Sequence, residues 1–205
     1  MSDLLFLSGF LKDWRAVGSP LPCSRHVAER VCKLMDFSRA RVCVEVGAGT
    51  GAVTREILKA LRSDAKLIVF EINKDFCDQL RAANDSRLVV HNVSAFEMDT
   101  ILAEKADYVV SGIPLAVLSK PEFSRLYSAI RSVLTPAGAF IQVQLAPVSY
   151  RRLRRCFRDV RVGFSWKNAP PAFLYQCRGP ARSAEDPIRK RRRRFLNNFI
   201  VHLFR

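Results

Sequence analysis

The chain has 205 residues, 49% of them hydrophobic, and a formal net charge of +15 from 34 Lys and Arg against 19 Asp and Glu. This length suits one compact domain with tails, and this hydrophobic content excludes a disordered chain. No apolar stretch approaches the roughly 20 residues that a membrane-spanning helix needs. The positive charge predicts an anionic partner, either a nucleic acid or an acidic membrane surface.

The first 36 residues predict two helices separated by a break. Residues 2–15 carry an apolar stripe at helical spacing, which either packs on the protein or lies in a membrane interface beside anionic headgroups. The Gly- and Pro-containing stretch 18–22 then interrupts the chain, and Ser24 is the predicted N-cap of a second helix, a lid, that ends near residue 35. The candidate membrane-binding residues are Phe6, Leu7, Phe10, Leu11, Lys12, Trp14 and Arg15.

From residue 37 to 178, short apolar runs alternate with amphipathic segments of helix length. This alternation predicts an α/β fold, a parallel sheet with helices on both faces. The predicted strands are 41–46, 66–71, 87–91, 107–111, 138–145, 160–166 and 172–177. The predicted helices are 52–62, 73–83, 121–134 and 149–157.

The sharpest motif is Val-Cys-Val-Glu-Val-Gly-Ala-Gly-Thr-Gly over residues 42–51. A strand that contains Glu45 passes into three glycines, Gly47, Gly49 and Gly51, just before a predicted helix. Glycine tolerates positive φ and lets a ligand lie against the backbone, and a helix N-terminus offers free N–H groups. The motif predicts a cofactor cradle, with a purely structural tight turn as the alternative for the glycines alone.

A second motif supports the cradle. The apolar run Leu-Ile-Val-Phe over 67–70 ends at Glu71, 20 residues beyond Gly51, the spacing at which a carboxylate reaches a ribose diol. The glycines do not follow the G-x-G-x-x-G pattern of a dinucleotide site, because only one residue separates the second from the third. The two motifs together favour a nucleoside cofactor other than a dinucleotide.

Residues 45–51 and Glu71 together resemble motifs I and II of the class I S-adenosylmethionine-dependent methyltransferases. The resemblance implies a Rossmann-like seven-stranded sheet whose last strand is reversed, with S-adenosylmethionine as the cofactor. It places the ribose on Glu71 and the adenine between Ile72 and the loop after the third strand. It places the methionine end of the cofactor along Gly47, Ala48, Gly49, Thr50 and Gly51.

The loop after the third predicted strand supplies further candidate cofactor contacts: Asn92, Val93, Ser94 and Ala95. The related rRNA adenine dimethyltransferases have Gly-Asp-Ala where this chain has Val-Ser-Ala. Ser94 therefore replaces the acid that grips the adenine amino group. Asn92 either supplies a substitute hydrogen bond or is a turn residue.

The loop after the fourth predicted strand reads Ser-Gly-Ile-Pro-Leu over residues 111–115. Nucleic-acid adenine methyltransferases have an Asn/Asp-x-Pro-aromatic tetrapeptide here, whose polar group holds the target amine while the aromatic ring stacks on a flipped base. This chain has neither group. The segment resembles instead the Ser-Gly-Leu-Pro-Leu signature of the bacterial phospholipid N-methyltransferases, and residues 6–18 and 166–175 also resemble that family. The resemblance implies stepwise methylation of phosphatidylethanolamine towards phosphatidylcholine.

Two serines complete the candidate cofactor contacts. The first is Ser111, at the end of the fourth strand. The second is Ser24, because Cys23 stands where the phospholipid N-methyltransferases tend to have a serine.

Catalysis in such an enzyme depends mainly on alignment, because the sulfonium carries its own activation. An ethanolamine ammonium, with a pKa of about 10, must lose a proton before it attacks. Tyr175 and the backbone carbonyl of Ser111 are the candidate proton acceptors. The candidate catalytic residues are Ser111, Gly112, Ile113, Pro114 and Tyr175.

The last segment, residues 179–205, combines a basic run at 189–194 with apolar residues after it. This pattern suits a bilayer surface, and a disordered tail that binds any polyanion is the alternative. The six cysteines are scattered, which favours reduced thiols in the cytoplasm, and no Cys/His spacing indicates a metal site.

The leading hypothesis is a monomeric lipid N-methyltransferase that is cytoplasmic and peripherally associated with the inner face of the cell membrane. Its expected partners are an anionic membrane surface and a phospholipid substrate, with no DNA.

The alternative is an rRNA adenine N6-dimethyltransferase-like enzyme, which would bind RNA through the same positive charge. Against it stand the missing tetrapeptide and the short tail, which leaves no room for a helical RNA-binding domain. A vestigial fold without turnover is the third hypothesis, and the intact glycines and Glu71 argue against it.

Overall fold

The computed structural model describes residues 23–145 and 147–180. The predicted helix over 2–15, with all the candidate membrane-binding residues, and the tail from 181 onward lie outside these ranges. Within them, no helix has the length and hydrophobicity that crossing a membrane requires.

In the described ranges, seven strands form a single sheet: β1 Val42–Val46, β2 Lys66–Phe70, β3 Leu88–His91, β4 Ala106–Ser111, β5 Leu134–Gln144, β6 Phe157–Ser165 and β7 Ala172–Pro180. Their order across the sheet is β3-β2-β1-β4-β5-β7-β6. Strand β7 runs antiparallel to both of its neighbours, and the other adjacent pairs are parallel. The predicted seven-stranded sheet with a reversed last strand is confirmed.

In the part of the chain that the structure describes, the helices are α1 Arg25–Cys32, α2 Ala52–Ala60, α3 Lys74–Arg81, α4 Met98–Ile101, α5 Lys120–Val133 and α6 Tyr150–Cys156. Three of them, α1, α3 and α5, begin at a side-chain cap. Ser24 and Asn73 accept backbone N–H bonds at the first turns of α1 and α3, and Ser119 forms a capping box with Glu122 at the start of α5. Such caps satisfy N–H groups that have no partner within the helix.

The predicted boundaries are wrong where pairing, and not hydrophobicity, sets the end of an element. Strand β5 begins at Leu134 and not at 138, because Leu134 already pairs with Ala106 before a register shift. Strands β6 and β7 extend to the pair Phe157 and Pro180, beyond the predicted 160 and 177. The extra residues include exposed charged side chains, which an apolar pattern does not assign to a strand. Helix α1 ends at Cys32, before the predicted residue 35.

Apolar side chains cover both faces of the sheet and form the two halves of the core. Because parallel strands point the same way, the carboxyl ends of all the strands except β7 meet at one edge. The strand order reverses between β1 and β4, where a doubly wound sheet opens a crevice for ligands. The fold therefore places the glycine motif and the segment 111–115 side by side.

Candidate active site

The glycine turn, residues 47–51, leaves β1 in a conformation that only glycine adopts freely. Gly47, Gly49 and Gly51 have φ angles of +70°, +54° and +77°, in the region where a Cβ is strained. The N–H of Gly47 donates to the carbonyl of Phe70 at 2.9 Å, which ties the turn to β2. A methyl group added at Gly49 would meet no atom within 4 Å. The turn is thus held from one side and leaves open space beside Gly49 for a ligand.

Glu71 holds the glycine turn through its carboxylate. Its Oε2 accepts the N–H of Gly49 at 2.9 Å, and its Oε1 accepts the N–H of Asn73 at 2.9 Å. A carboxylate has about four acceptor directions, so these two bonds leave capacity for the hydroxyls of a ribose. The side chain is nearly buried, which fixes its orientation.

Glu45 is a second carboxylate, buried beneath the turn. Burial raises the pKa of Glu45 to about 7, and the nearby negative charge of Glu71 adds to the rise, while a bond from Thr54 opposes it. The Thr54 hydroxyl donates to Glu45 Oε2 at 2.7 Å. The sequence analysis did not predict a role for Thr54. Thr54 lies three residues after Gly51, in the first turn of α2, and this position next to the end of β1 is the signal that could have identified it. Glu45 can therefore gain or lose a proton near neutral pH.

The loop after β3 is tied to the end of β2 by Asn92. Its Nδ2 donates to the carbonyls of Glu71 and Ile72, both at 3.0 Å. Ser94 caps the 3₁₀ turn Ala95–Glu97 by accepting the N–H of Phe96. Asn92 therefore has a positioning role at this loop, and its contact with adenine, like that of Ser94, stays a prediction.

The backbone of the loop after β4, residues 112–119, packs directly against the backbone of the glycine turn. The N–H of Gly112 donates to the carbonyl of Val46 at 3.0 Å. A Cβ on Gly112 would lie 2.6 Å from the carbonyl oxygen of Gly47, so this position requires glycine. Ser111 Oγ is buried and accepts the N–H of Ile113 at 3.2 Å. The candidate catalytic residues from Ser111 to Pro114 therefore adjoin the candidate cofactor cradle.

Two glutamines of β5 fix the start of this loop. Gln142 Nε2 donates to the carbonyls of Ser111 at 3.0 Å and Ile113 at 2.9 Å, and Gln144 Nε2 donates to Ile113 at 2.9 Å. Both side chains are buried. The sequence analysis did not predict a role for these glutamines. Two polar residues at alternate positions of an otherwise apolar strand could have indicated one, because they lie on the same face of the sheet. They orient the two carbonyls that border the crevice.

Arg152 of α6 fixes the far end of the same loop. Its guanidinium donates to the carbonyls of Leu115 at 2.9 Å and Leu118 at 3.2 Å, and stacks 4.5 Å from the ring centre of Phe123. The loop is therefore held at both ends, which preorganises it for contact with a substrate.

Tyr175 lies on β7 directly opposite Gln142, with no exposed surface. Within the described ranges, neither its hydroxyl nor Gln142 Oε1 has a hydrogen-bond partner. Burial raises the pKa of Tyr175 to about 12, so the phenol stays protonated at neutral pH. As a proton acceptor it would use a lone pair of the neutral hydroxyl, and this role stays a prediction.

The Ser24 hydroxyl is hydrogen-bonded within α1 and to the loop between β6 and β7. It accepts the N–H of Val27 at 3.3 Å and donates to the carbonyl of Lys167 at 2.9 Å. The Ser24 N–H donates to Asn168 Oδ1 at 2.9 Å. These bonds tie the start of α1 to the loop between β6 and β7, and a contact between Ser24 and the cofactor stays a prediction.

The chain is similar in sequence to known methyltransferases. Residues 43–138 match the family described as a methyltransferase domain. The ornithine lipid N-methyltransferase of Singulisphaera acidiphila is 36% identical over 182 residues, which cover 85% of this chain and 95% of that protein. The chain belongs to the class I S-adenosylmethionine-dependent methyltransferases.

Other methyltransferases match over less of the chain or at lower identity. The ribosomal RNA small subunit methyltransferase A of Mycoplasma mycoides is 31% identical over 127 residues, which cover 59% of this chain and 46% of that protein. The N-methyltransferase NodS from Bradyrhizobium japonicum, solved with S-adenosyl-L-homocysteine, is 16% identical with a TM-score of 0.63, covering 82% of this chain and 92% of that one. That structural likeness shows the fold.

The methyltransferase uses S-adenosylmethionine, whose sulfonium supplies an electrophilic methyl group. The open space beside Gly49, the free acceptor directions of Glu71 and the buried carboxylate of Glu45 suit a cationic nucleoside. The glycine turn and Glu71 would hold it, as the sequence predicts. The chain's own contribution is to fix this cradle and to hold the loop after β4 beside it.

The raised pKa of Glu45 predicts a pH-dependent change in stability. The folded enzyme keeps a proton on Glu45 up to about pH 7, whereas the unfolded chain loses it near 4.5, so the cost of burying Glu45 grows as the pH rises between these values. Glu45→Gln has no such cost. We expect its free energy of unfolding, relative to the wild type, to rise by up to about 3 kcal/mol from pH 5 to pH 8. Urea unfolding at both pH values measures this.

The exposed Glu104, which pairs with Lys66, supplies the control for Glu45. Glu104→Gln should show no comparable rise with pH. A Glu45→Gln difference that is the same at pH 5 and pH 8 would contradict the assigned pKa.

The contacts of Gln142 predict a loss of turnover without a loss of cofactor affinity. Gln142→Leu removes the donor to two carbonyls of the loop and keeps a side chain of similar size. We expect the rate of methyl transfer at saturating cofactor to fall about tenfold or more, because misplaced groups lose alignment. The dissociation constant for S-adenosyl-L-homocysteine should stay within about twofold.

Gln176→Leu is the matched control for Gln142. Gln176 is also a buried glutamine whose Nε2 donates to a backbone carbonyl, that of Leu34, but it lies on the other face of the sheet. An equal fall in rate for both variants would assign Gln142 a general structural role only.

Proposed function

We propose that this methyltransferase transfers methyl groups from S-adenosylmethionine to the primary amine of phosphatidylethanolamine, and to its mono- and dimethyl products, at the membrane surface. The observation that carries the proposal is the loop after β4. Beside the cradle it presents Gly112, Ile113 and Pro114, with no aromatic ring and no amide or acid side chain from the loop. A flipped base has no stacking platform there, whereas a small aliphatic amine needs none.

The groups that border the crevice suit an amine. The Ile113 carbonyl accepts both Gln142 Nε2 and Gln144 Nε2, which occupies its two lone pairs. The Ser111 carbonyl accepts one side-chain donor, Gln142 Nε2, and its second lone pair is the candidate acceptor for an amine N–H. A headgroup ammonium that leaves water has a lowered pKa, because burial disfavours the charged form. Burial would favour loss of the ammonium proton to water, and the Ser111 carbonyl would then orient the neutral amine towards the sulfonium.

The near-full-length relative supports lipid N-methylation in general. The name of that enzyme specifies an ornithine lipid, and ornithine, like ethanolamine, carries a primary amine at the end of a short aliphatic chain. The shared chemistry is that amine on a membrane anchor. The proposed substrate is phosphatidylethanolamine, and separate vesicles of the two lipids distinguish the headgroups.

The proposed setting is the cytoplasmic face of the membrane, with a monomeric enzyme on an anionic bilayer. The net charge of +15 favours attraction to such a surface. The same charge would attract RNA, and the matches to rRNA methyltransferases cover about half of this chain. RNA methylation is therefore the competing outcome.

Purified enzyme given S-adenosylmethionine with a labelled methyl group tests the proposal. The acceptors are vesicles that contain phosphatidylethanolamine, vesicles that contain ornithine lipid, and ribosomal RNA without prior methylation. We expect label in mono-, di- and trimethylated products of phosphatidylethanolamine, separated by chromatography, and none in RNA.

The control is Glu71→Ala, which removes the anchor of the glycine turn and should abolish labelling of every acceptor. Label confined to ornithine lipid would keep lipid N-methylation and overturn the proposed headgroup. Label only in RNA would overturn the proposed function.

A further inference from the structure

Three exposed apolar side chains follow the carboxyl ends of three strands. They are Val117 after β4, Leu145 after β5 and Trp166 after β6, with exposed fractions of 43%, 41% and 75%. We call these three residues the apolar rim. An exposed tryptophan at this level is uncommon, because burying an indole is strongly favourable.

The apolar rim lies at the edge of the sheet that carries the cofactor cradle. Strand β6 is antiparallel to β7, which is antiparallel to β5, so β4, β5 and β6 all point to the same edge. Three strand spacings separate β4 from β6, about 14 Å in all. Because β1 and β4 are neighbours, the rim begins one strand from the glycine turn.

The structure holds Trp166 in its exposed position. Its ring meets Phe164 edge-on at a centroid distance of 4.6 Å, and Phe164 contacts Phe173 at 4.9 Å. The next two residues, Lys167 and Asn168, bind Ser24 at the start of α1. Contacts with Phe164 on one side and with Ser24 on the other therefore fix this loop, and the indole stays exposed.

Basic side chains accompany each part of the apolar rim. Lys120 follows Val117 at the start of α5, Arg151 lies in the first turn of α6 after Leu145, and Lys167 adjoins Trp166. All three are exposed. The nearby Glu122 is already bound to the N–H of Ser119. Tryptophan beside lysine and arginine matches the interfacial zone of an anionic bilayer, where the indole lies among the headgroups and the cations meet phosphate.

We propose that the apolar rim, with Lys120, Arg151 and Lys167, is a docking surface for an anionic lipid bilayer. Docking there turns the cofactor cradle towards the headgroups, so that a lipid amine reaches the crevice while its acyl chains stay in the membrane. The inference rests on the proposed lipid substrate. It is separate from the predicted membrane helix over 2–15 and from the basic tail, because it uses described residues at the mouth of the site.

The chain contains two tryptophans, so Trp14→Phe leaves Trp166 as the single indole reporter. The probe is a vesicle of phosphatidylglycerol and phosphatidylcholine, which offers no primary amine and hence no substrate. We expect the emission of Trp166 to shift to shorter wavelength on binding, and to be quenched when the acyl chains are brominated near the headgroup.

Two further variants measure the contribution of the surface. Trp166→Ala should weaken vesicle affinity, measured by sedimentation, by roughly tenfold or more, because the variant no longer buries a large aromatic ring in the bilayer interface. Ile101→Ala is the control, because Ile101 is exposed and ends the helix before the amino end of β4, at the opposite edge. Its affinity should stay within about twofold of the wild type.

Vesicle binding with unchanged Trp166 emission would overturn the proposed surface, as would a Trp166 response to RNA without one to vesicles.

Methylation of phosphatidylethanolamine in detergent micelles separates this proposal from the proposed function. If micellar activity survives in Trp166→Ala while vesicle affinity falls, the docking surface is supported. If the wild type is inactive on micelles and vesicles alike, the proposed substrate fails, while the binding result stands on its own.

Discussion

The hydrogen bond between Glu71 and Gly49 is the constraint on which the site depends. It joins the ends of β1 and β2 at 2.9 Å through a nearly buried carboxylate, and so fixes a turn whose three glycines have positive φ. The contacts continue across the sheet: Gly47 meets Gly112 of the loop after β4, and Gln142 of β5 holds that loop. Four neighbouring strands, β2, β1, β4 and β5, thus contribute to one continuous backbone surface.

Two nearby carboxylates at this surface repel each other, and a cationic cofactor would offset that repulsion. Glu45 and Glu71 bring two carboxylates to one end of the sheet, and burial raises the pKa of Glu45 to about 7. A positive ligand favours the ionised form of a nearby carboxylate. Destabilising charge placement of this kind is typical of functional sites. The site therefore combines a rigid backbone with a buried carboxyl group whose pKa lies near neutral.

The sequence was most informative where local chemistry alone decides the structure. The glycine spacing of 47–51 and the carboxylate that follows β2 predicted the cradle, and alternating apolar runs predicted all seven strands. The start of β5 at Leu134 was missed, because pairing with Ala106 decides it. Gln142, Thr54 and the bond between Ser24 and Asn168 were missed because each joins segments that only the folded chain brings together. The adenine contacts, the proton acceptor and the membrane helix stay predictions.

The most direct test of this account is isothermal titration calorimetry with S-adenosyl-L-homocysteine on the wild type, Glu71→Ala and Glu104→Ala. Loss of hydrogen bonds to a buried charged group changes binding by about ten- to a hundredfold. The account predicts that Glu71→Ala binds at least about tenfold more weakly, and that Glu104→Ala, which alters an exposed carboxylate, matches the wild type. Absence of binding heat in the wild type, or equal affinity in Glu71→Ala and the wild type, would contradict the cradle.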